Sequence, residues 1–294
     1  RPPVDLAGTI PLHWPIVASP ASRPGRLKPA DSLAGRAPRL GVLMVASEVA
    51  PWAKTGGLAD VLAALPAALD ALGHRVTVVL PKYRGVSIVP AEEVSAVVNL
   101  GRLHLRVRLE TITVSRRHRV VFVDSPPHFD RDGFYGSRDG DFEDNPERFG
   151  LLAAAALDMA ERDRATWPVD VVHCHDWQAG LVPTFLSVDP ARWPGLAPAA
   201  RVLTGHNLAY QGTFDQRIVP RLGLPWRVFT IGGGEFWGRF SFLKAGINYS
   251  DYITTVSPTY AKETLGAAEG CGFEGVLASR ADRYVGILNG IDTA

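Results

Sequence analysis

The chain has 294 residues, 46% of them hydrophobic, with 31 Lys and Arg against 30 Asp and Glu for a formal net charge of +1. That is enough apolar material for one large or two ordinary domains, and the charge balance gives neither nucleic acid nor a membrane surface an electrostatic hold. Two cysteines, Cys174 and Cys271, are too few for a disulfide framework and fit a reducing cytoplasm, and no apolar run approaches the roughly 20 residues that span a bilayer.

Residues 1 to 38 carry prolines at 2, 3, 11, 15, 20, 24, 29 and 38 among scattered arginines, with no sustained period. Proline removes donors and blocks helix interiors, so a flexible leader is expected. An organelle-targeting peptide is the alternative for a basic, acid-poor stretch, but the proline spacing argues against an amphipathic helix. The chain opens on Arg1 and stops soon after an expected strand, which suggests a piece of something longer.

From Leu40 strands and helices alternate. Leu40 to Ala46 is a continuous apolar run that reads as a buried parallel strand. Leu58, Val61, Leu62, Leu65, Leu69 and Leu72 then recur at spacings of three and four, predicting a helix bent at Pro66 and ended by Gly73. His74 to Pro81 is the next strand. Residues 94 to 114 alternate apolar and charged, predicting hairpin-like strands with one wet face, and Val120 to Val123 returns as a buried strand. Asp130 to Asn145 is acidic and glycine-containing and reads as a long surface loop, with a spacing that fits no calcium loop. Helices are expected from Asn145, from Asp176 and over Phe236 to Ile247; strands are expected at 170–175, 200–204, 252–256 and 285–289. The predicted fold class is α/β: a doubly wound, mainly parallel sheet occupying residues 39–294.

Three of these strands end in polar clusters: Lys54 to Asp60, His173 to Trp177, and His206 to Gln211. Parallel strands bring their carboxyl ends to one rim, so distant residues can share a cleft. In the first cluster, Gly56 and Gly57 allow close backbone approach and Lys54 supplies a point charge suited to phosphate. Neither G-x-G-x-x-G nor G-x-x-x-x-G-K-[ST] occurs, and a tight turn with a solvated Lys54 and a first-turn acid, Asp60, explains the same residues. The run His173, Cys174, His175, Asp176 invites a zinc reading, but strand alternation turns Cys174 away from both histidines, and no metal site is expected. His173 reads as a satisfied core histidine. Asp176 is open to being an N-cap, and His206 to being structural.

Several stretches together resemble one family. They are Ser47 to Pro51 (SEVAP), Lys54 to Val61 (KTGGLADV), His173 to Trp177 (HCHDW), His206 to Gly212 (HNLAYQG), Ser241 to Gly246 (SFLKAG) and Val256 to Tyr260 (VSPTY). In this collinear order they are similar to the bacterial glycogen synthases and plant starch synthases, which use ADP-glucose. Gly205, where the family more often has an apolar residue, and Cys174, where it often has alanine, are small departures. The resemblance implies the amino-terminal Rossmann-like half of a GT-B glycosyltransferase, with a second such domain in the full-length protein.

It also implies roles. Lys54, Gly56 and Gly57 would lie against the donor phosphates, Asp60 and Asn289 would reach sugar hydroxyls, and Asp176 and His206 would line the reaction centre. Tyr135 would border the acceptor channel. The implied reaction moves glucose from ADP-glucose to the non-reducing end of an α-1,4-glucan with retention, and without cofactor or metal. The residues 1–294 alone would transfer little glucose, since domain closure assembles such sites. A non-catalytic glucan-binding module and another GT-B nucleotide-sugar transferase, such as a sucrose synthase-like enzyme, are the alternatives.

Overall fold

The structure, a computed structural model, describes residues 38 to 290. Apart from Pro38, the expected leader lies outside the described residues.

The main sheet forms where the apolar runs predict. Strand β1 (Gly41–Val45) is buried along its whole length, as a strand covered on both faces must be. It is followed by helix α1 (Gly57–Ala71) and β2 (Arg75–Pro81). Helix α1 runs unbroken through Pro66 and buries Leu58, Ala59, Leu62 and Pro66; Leu72, expected on its apolar stripe, is its exposed C-cap. The alternating segment folds as β3 (Glu92–Leu100) and β4 (Leu103–Thr113), an antiparallel hairpin, and β4 pairs antiparallel with β5 (His118–Asp124).

The acidic stretch is more than a surface loop. After the short α2 (Pro126–Phe129), a small hairpin of β6 (Gly136–Ser137) and β7 (Gly140–Asp141) closes it. Phe134 stacks on Tyr83 with ring centroids 4.2 Å apart. Helix α3 (Asn145–Asp163) is buried on every side from Phe149 to Leu157, where four consecutive alanines admit close neighbours. Strand β8 (Val171–His175) leads through one 3-10 turn into α4 (Leu181–Val188), and β9 (Ala200–Gly205) follows.

The helix expected from Phe236 begins later. A three-stranded sheet of β10 (Thr213–Phe214), β11 (Glu235–Phe236) and β12 (Arg239–Ser241) intervenes, with α5 (Ile218–Arg221) between β10 and β11. The turn between β11 and β12 is Trp237 and Gly238, both at positive φ (53° and 76°), as a two-residue hairpin of this hand requires. Helix α6 (Phe242–Tyr249) then starts where Ser241 accepts the backbone N–H of Lys244 at 3.1 Å. The chain finishes with β13 (Tyr252–Thr255), α7 (Pro258–Glu263), α8 (Glu274–Ala278) and β14 (Tyr284–Gly286), the last ending three residues short of its expected end at Asn289.

The nine-stranded sheet runs β14-β13-β9-β8-β1-β2-β5-β4-β3, and every pairing is parallel except those of β4 with β5 and with β3. From β1 the chain first builds outward through β2 and β5, then returns to add β8 on the other side of β1. The strand order therefore reverses between β1 and β8, and the crevice beyond their carboxyl ends is where such sheets hold ligands.

Candidate active site

A cleft of about 770 Å³ opens at that reversal point. Its wall includes Glu48, Thr55, Gly56, Gly57, Tyr135 and Asn145 on one side, and Asp176, Trp177, His206, Gln211 and Asn289 on the other.

The loop after β1 makes the first wall. The Glu48 side chain is buried and accepts the Thr55 N–H at 2.5 Å, the Thr55 hydroxyl at 2.6 Å and the Tyr135 hydroxyl at 2.5 Å. Asn145 holds Tyr135 from the other side by donating its side-chain amide to the Tyr135 carbonyl at 2.8 Å. One carboxylate thus ties the strand end, the glycine turn and the tip of the acidic stretch together, and burial raises the Tyr135 phenol so that it stays protonated. Gly56 is extended, and a Cβ at Gly56 or Gly57 would meet open space. Neither dihedral strain nor protein packing demands glycine there; what a side chain would fill is the cleft. Among the described residues no side chain caps α1, which leaves its first N–H groups, with the favourable end of the helix dipole, open at the cleft.

The second wall carries strain. Asp176 sits at φ 58° and ψ −172°, a region nearly reserved for glycine. Its carboxylate does not cap the following turn; it reaches across to accept the His206 N–H at 2.7 Å. Burial pushes its carboxyl up to about 7, against the pull of the His206 and Asn207 N–H groups. His206 meets His175 with Nε2 and Nδ1 3.1 Å apart, and burial pushes His206 down to about 4. His173, which accepts or donates to Thr204 Oγ1 at 2.6 Å, is likewise pushed down to about 4, so these imidazoles are neutral near pH 7. Trp177 floors this wall, edge-on to Phe149 at 4.9 Å. Gly212, at φ 55°, lies so close that a Cβ would come within 2.3 Å of the Trp177 ring.

The expected site residues do not all converge. Gly56, Gly57, Tyr135, Asp176, His206 and Asn289 line the cleft. Lys54 and Asp60 do not; they sit at its edge, each more than half exposed, in an ion pair with each other at 2.7 Å. The sequence alone assigns no role to Glu48, Thr55, Asn145 and Gln211, which also line the cleft. The signal for Glu48 was an acid placed directly after a buried strand end. Among the described residues, no group of three or more His, Cys, Asp or Glu could hold a metal ion, and no helix is long and apolar enough to cross a membrane.

With this geometry in place, comparison with known proteins is informative. The family model described as the starch synthase catalytic domain matches residues 41–279. Glycogen synthase 2 of Geobacter sulfurreducens is 43% identical over 264 residues, covering 86% of this chain and 52% of its own length. Glycogen synthase of an Anaeromyxobacter species is 48% identical over 257 residues, covering 85% of this chain and 52% of its own. The solved catalytic domain of starch synthase IV from Arabidopsis thaliana, bound to ADP and acarbose, superposes with a TM-score of 0.76 at 32% identity, covering 87% of this chain and 52% of that one. The chain spans about half the length of these relatives.

Proposed function

The chain belongs to the starch synthase catalytic domain family, and from that premise we propose that it is the amino-terminal half of a retaining, metal-independent glucosyltransferase. The donor is ADP-glucose, the acceptor the non-reducing end of an α-1,4-glucan. The observation that carries this reading is the cleft at the β1–β8 reversal, where a helix N-terminus without a side-chain cap stands opposite a strained, half-buried Asp176 and a neutral His206.

Each wall has its task. The N–H groups that open α1, approachable because Gly56 and Gly57 carry no side chain, take the diphosphate. Lys54 adds a cation by swinging from Asp60, a move that costs little because both partners are exposed. Asp176, His206 and Asn289 fix the glucose hydroxyls, and Tyr135 with Glu48 borders the acceptor. The bond from the anomeric carbon to the diphosphate oxygen breaks as the bond to the acceptor 4-hydroxyl oxygen forms, and the hydroxyl proton passes to the departing diphosphate. With no metal, fixed dipoles and cations must stabilise the departing diphosphate. One half of the cleft supplies only some of these, and a second Rossmann-like domain closing over it supplies the rest and excludes water. The ADP held by the Arabidopsis relative supports the donor assignment.

The test is glucose incorporation into an α-1,4-glucan from labelled ADP-glucose or UDP-glucose, by this chain alone and by the chain joined to a second Rossmann-like domain. Transfer is expected from ADP-glucose in the two-domain form only. Equal use of UDP-glucose would point to another nucleotide-sugar transferase, binding of glucan without any transfer to a carbohydrate-binding module, and robust extension by the single chain would overturn the two-domain account.

A further inference from the structure

His173, His175 and His206 stand in a row behind the cleft. His173 and His175, two apart on β8, share one face with ring centroids 4.2 Å apart, and His175 lies 5.4 Å from His206, joined to it through Nδ1 and Nε2. His206 lines the cleft; His175 is fully buried, and its Nε2 has no hydrogen-bond partner among the described residues.

A contact between two imidazole nitrogens is a hydrogen bond only if one ring donates and the other accepts, and a neutral imidazole carries a single N–H. Two arrangements satisfy the 3.1 Å contact. In one, His206 Nε2–H donates to His175 Nδ1, and the His175 proton must sit on its buried, partnerless Nε2. In the other, His175 Nδ1–H donates to His206 Nε2, and His175 Nε2 is a bare lone pair. A buried N–H without an acceptor is the rarer and costlier defect, so the second arrangement wins. His206 then has its Nε2 lone pair occupied and must carry its own proton on Nδ1, an atom with no hydrogen-bond partner among the described residues and not walled in by protein.

We propose that His175 is a positioning residue that fixes His206 as the Nδ1–H tautomer, so that His206 presents a donor, not an acceptor, to an oxygen of the sugar in the cleft. The identity of that oxygen as a sugar oxygen rests on the functional reading above; the tautomer does not. Free histidine in water prefers the Nε2–H form, so His175 imposes the less common state. Orientation and tautomer set by a neighbour's hydrogen bond are how an imidazole acquires one defined role.

The test is nitrogen NMR of the chain with its 8 histidines labelled, at pH 7 to 8, with the His206 signals identified by their loss in His206→Gln. His206 is expected to show a protonated Nδ1 and an unprotonated Nε2, with a coupling across the bond from His175. His175→Phe keeps the ring but offers no donor and is expected to return His206 to the Nε2–H form and to weaken sugar binding about tenfold. His175→Asn, whose amide can donate from near the same place, is expected to hold Nδ1–H. Protonation of His206 at Nε2 in the unsubstituted chain, or no change of tautomer in His175→Phe, overturns the proposal. The unsubstituted spectrum decides alone if that variant fails to fold. An Nδ1–H signal that ignores added ADP-glucose leaves the tautomer standing and counts against the sugar instead.

Discussion

The sheet buries carboxylates at two places, near its reversal point and near its antiparallel end, and treats them in opposite ways. At the antiparallel end Glu110 and Asp124 are enclosed, and each has a cation: Lys82 lies 2.6 Å from Glu110 and 3.7 Å from Asp124, and Arg108 pairs with Asp124. At the reversal point Glu48 is as deeply placed and Asp176 is half-buried, yet their hydrogen bonds come from neutral donors: the Thr55 N–H and hydroxyl, the Tyr135 hydroxyl and the His206 N–H. A buried charge compensated inside the fold has no further demand to make. One held only by neutral dipoles keeps an unmet demand, and that is the mark of a site that completes itself with a ligand or a closing domain.

Substituting one carboxylate from each place should give changes of opposite sign. The largest effect belongs to Asp176. Its carboxyl is raised from 3.8 to about 7, so between those values the folded state holds a proton that the unfolded state has lost, and stability falls as pH rises through the window. By pH 8 the cost is roughly 4 kcal/mol. Asp176→Asn is expected to recover up to that amount in urea unfolding at pH 8, and nothing at pH 4. In the proposed two-domain form the same change should lower transfer by about 10²- to 10³-fold, measured as initial rate with saturating donor. A variant both less stable and fully active would erase the contrast.

The histidines act with the other sign. His173 and His206, pushed down from 6.5 to about 4, refuse in the folded state a proton that the unfolded chain accepts. They withdraw stability as pH falls from 6.5 toward 4. Acid unfolding should therefore set in across that window, and Asp176→Asn should steepen it, because the opposing contribution is gone.

Glu110→Gln should cost about 2 kcal/mol, less than a fully enclosed pair would because Lys82 keeps some solvent and retains Asp124, and it should leave transfer unchanged. The smallest change in stability, less than about 1 kcal/mol, is expected for Lys54→Met, since its pair with Asp60 is exposed. That variant should nonetheless raise the KM for the donor. An unchanged KM would leave Lys54 as a solvated rim charge.

Much of this was legible in the sequence, for physical reasons. Strands covered on both faces carry apolar runs, as β1 does along its length and β2 and β5 do in their middles; β8, with His173 and His175, was legible only from its flanks. The rim that gathers Gly56, Asp176 and His206 follows from parallel strands sharing a direction. What failed was local geometry without a periodic signal. The Trp237–Gly238 turn has a tryptophan at positive φ, a position that reads as helix from composition alone. Glu48 was invisible as a hub because its partner Tyr135 lies 87 residues away. The contact between Lys54 and Asp60, six residues apart at the cleft edge, likewise carries no periodic signal.

The central claim is that the cleft at the reversal point, and not another hollow, receives the nucleotide sugar. A second hollow of about 450 Å³ lies beside the compensated carboxylates, lined by Ser95, Val97, Arg106 and Arg108, and it serves as the internal control. Backbone amide shifts followed while ADP-glucose is titrated into the chain test this directly. Movement should appear at Gly56, Gly57 and His206 and be absent at Ser95, Val97 and Arg108; shifts confined to the second hollow, or none at the glycine turn, would contradict the account.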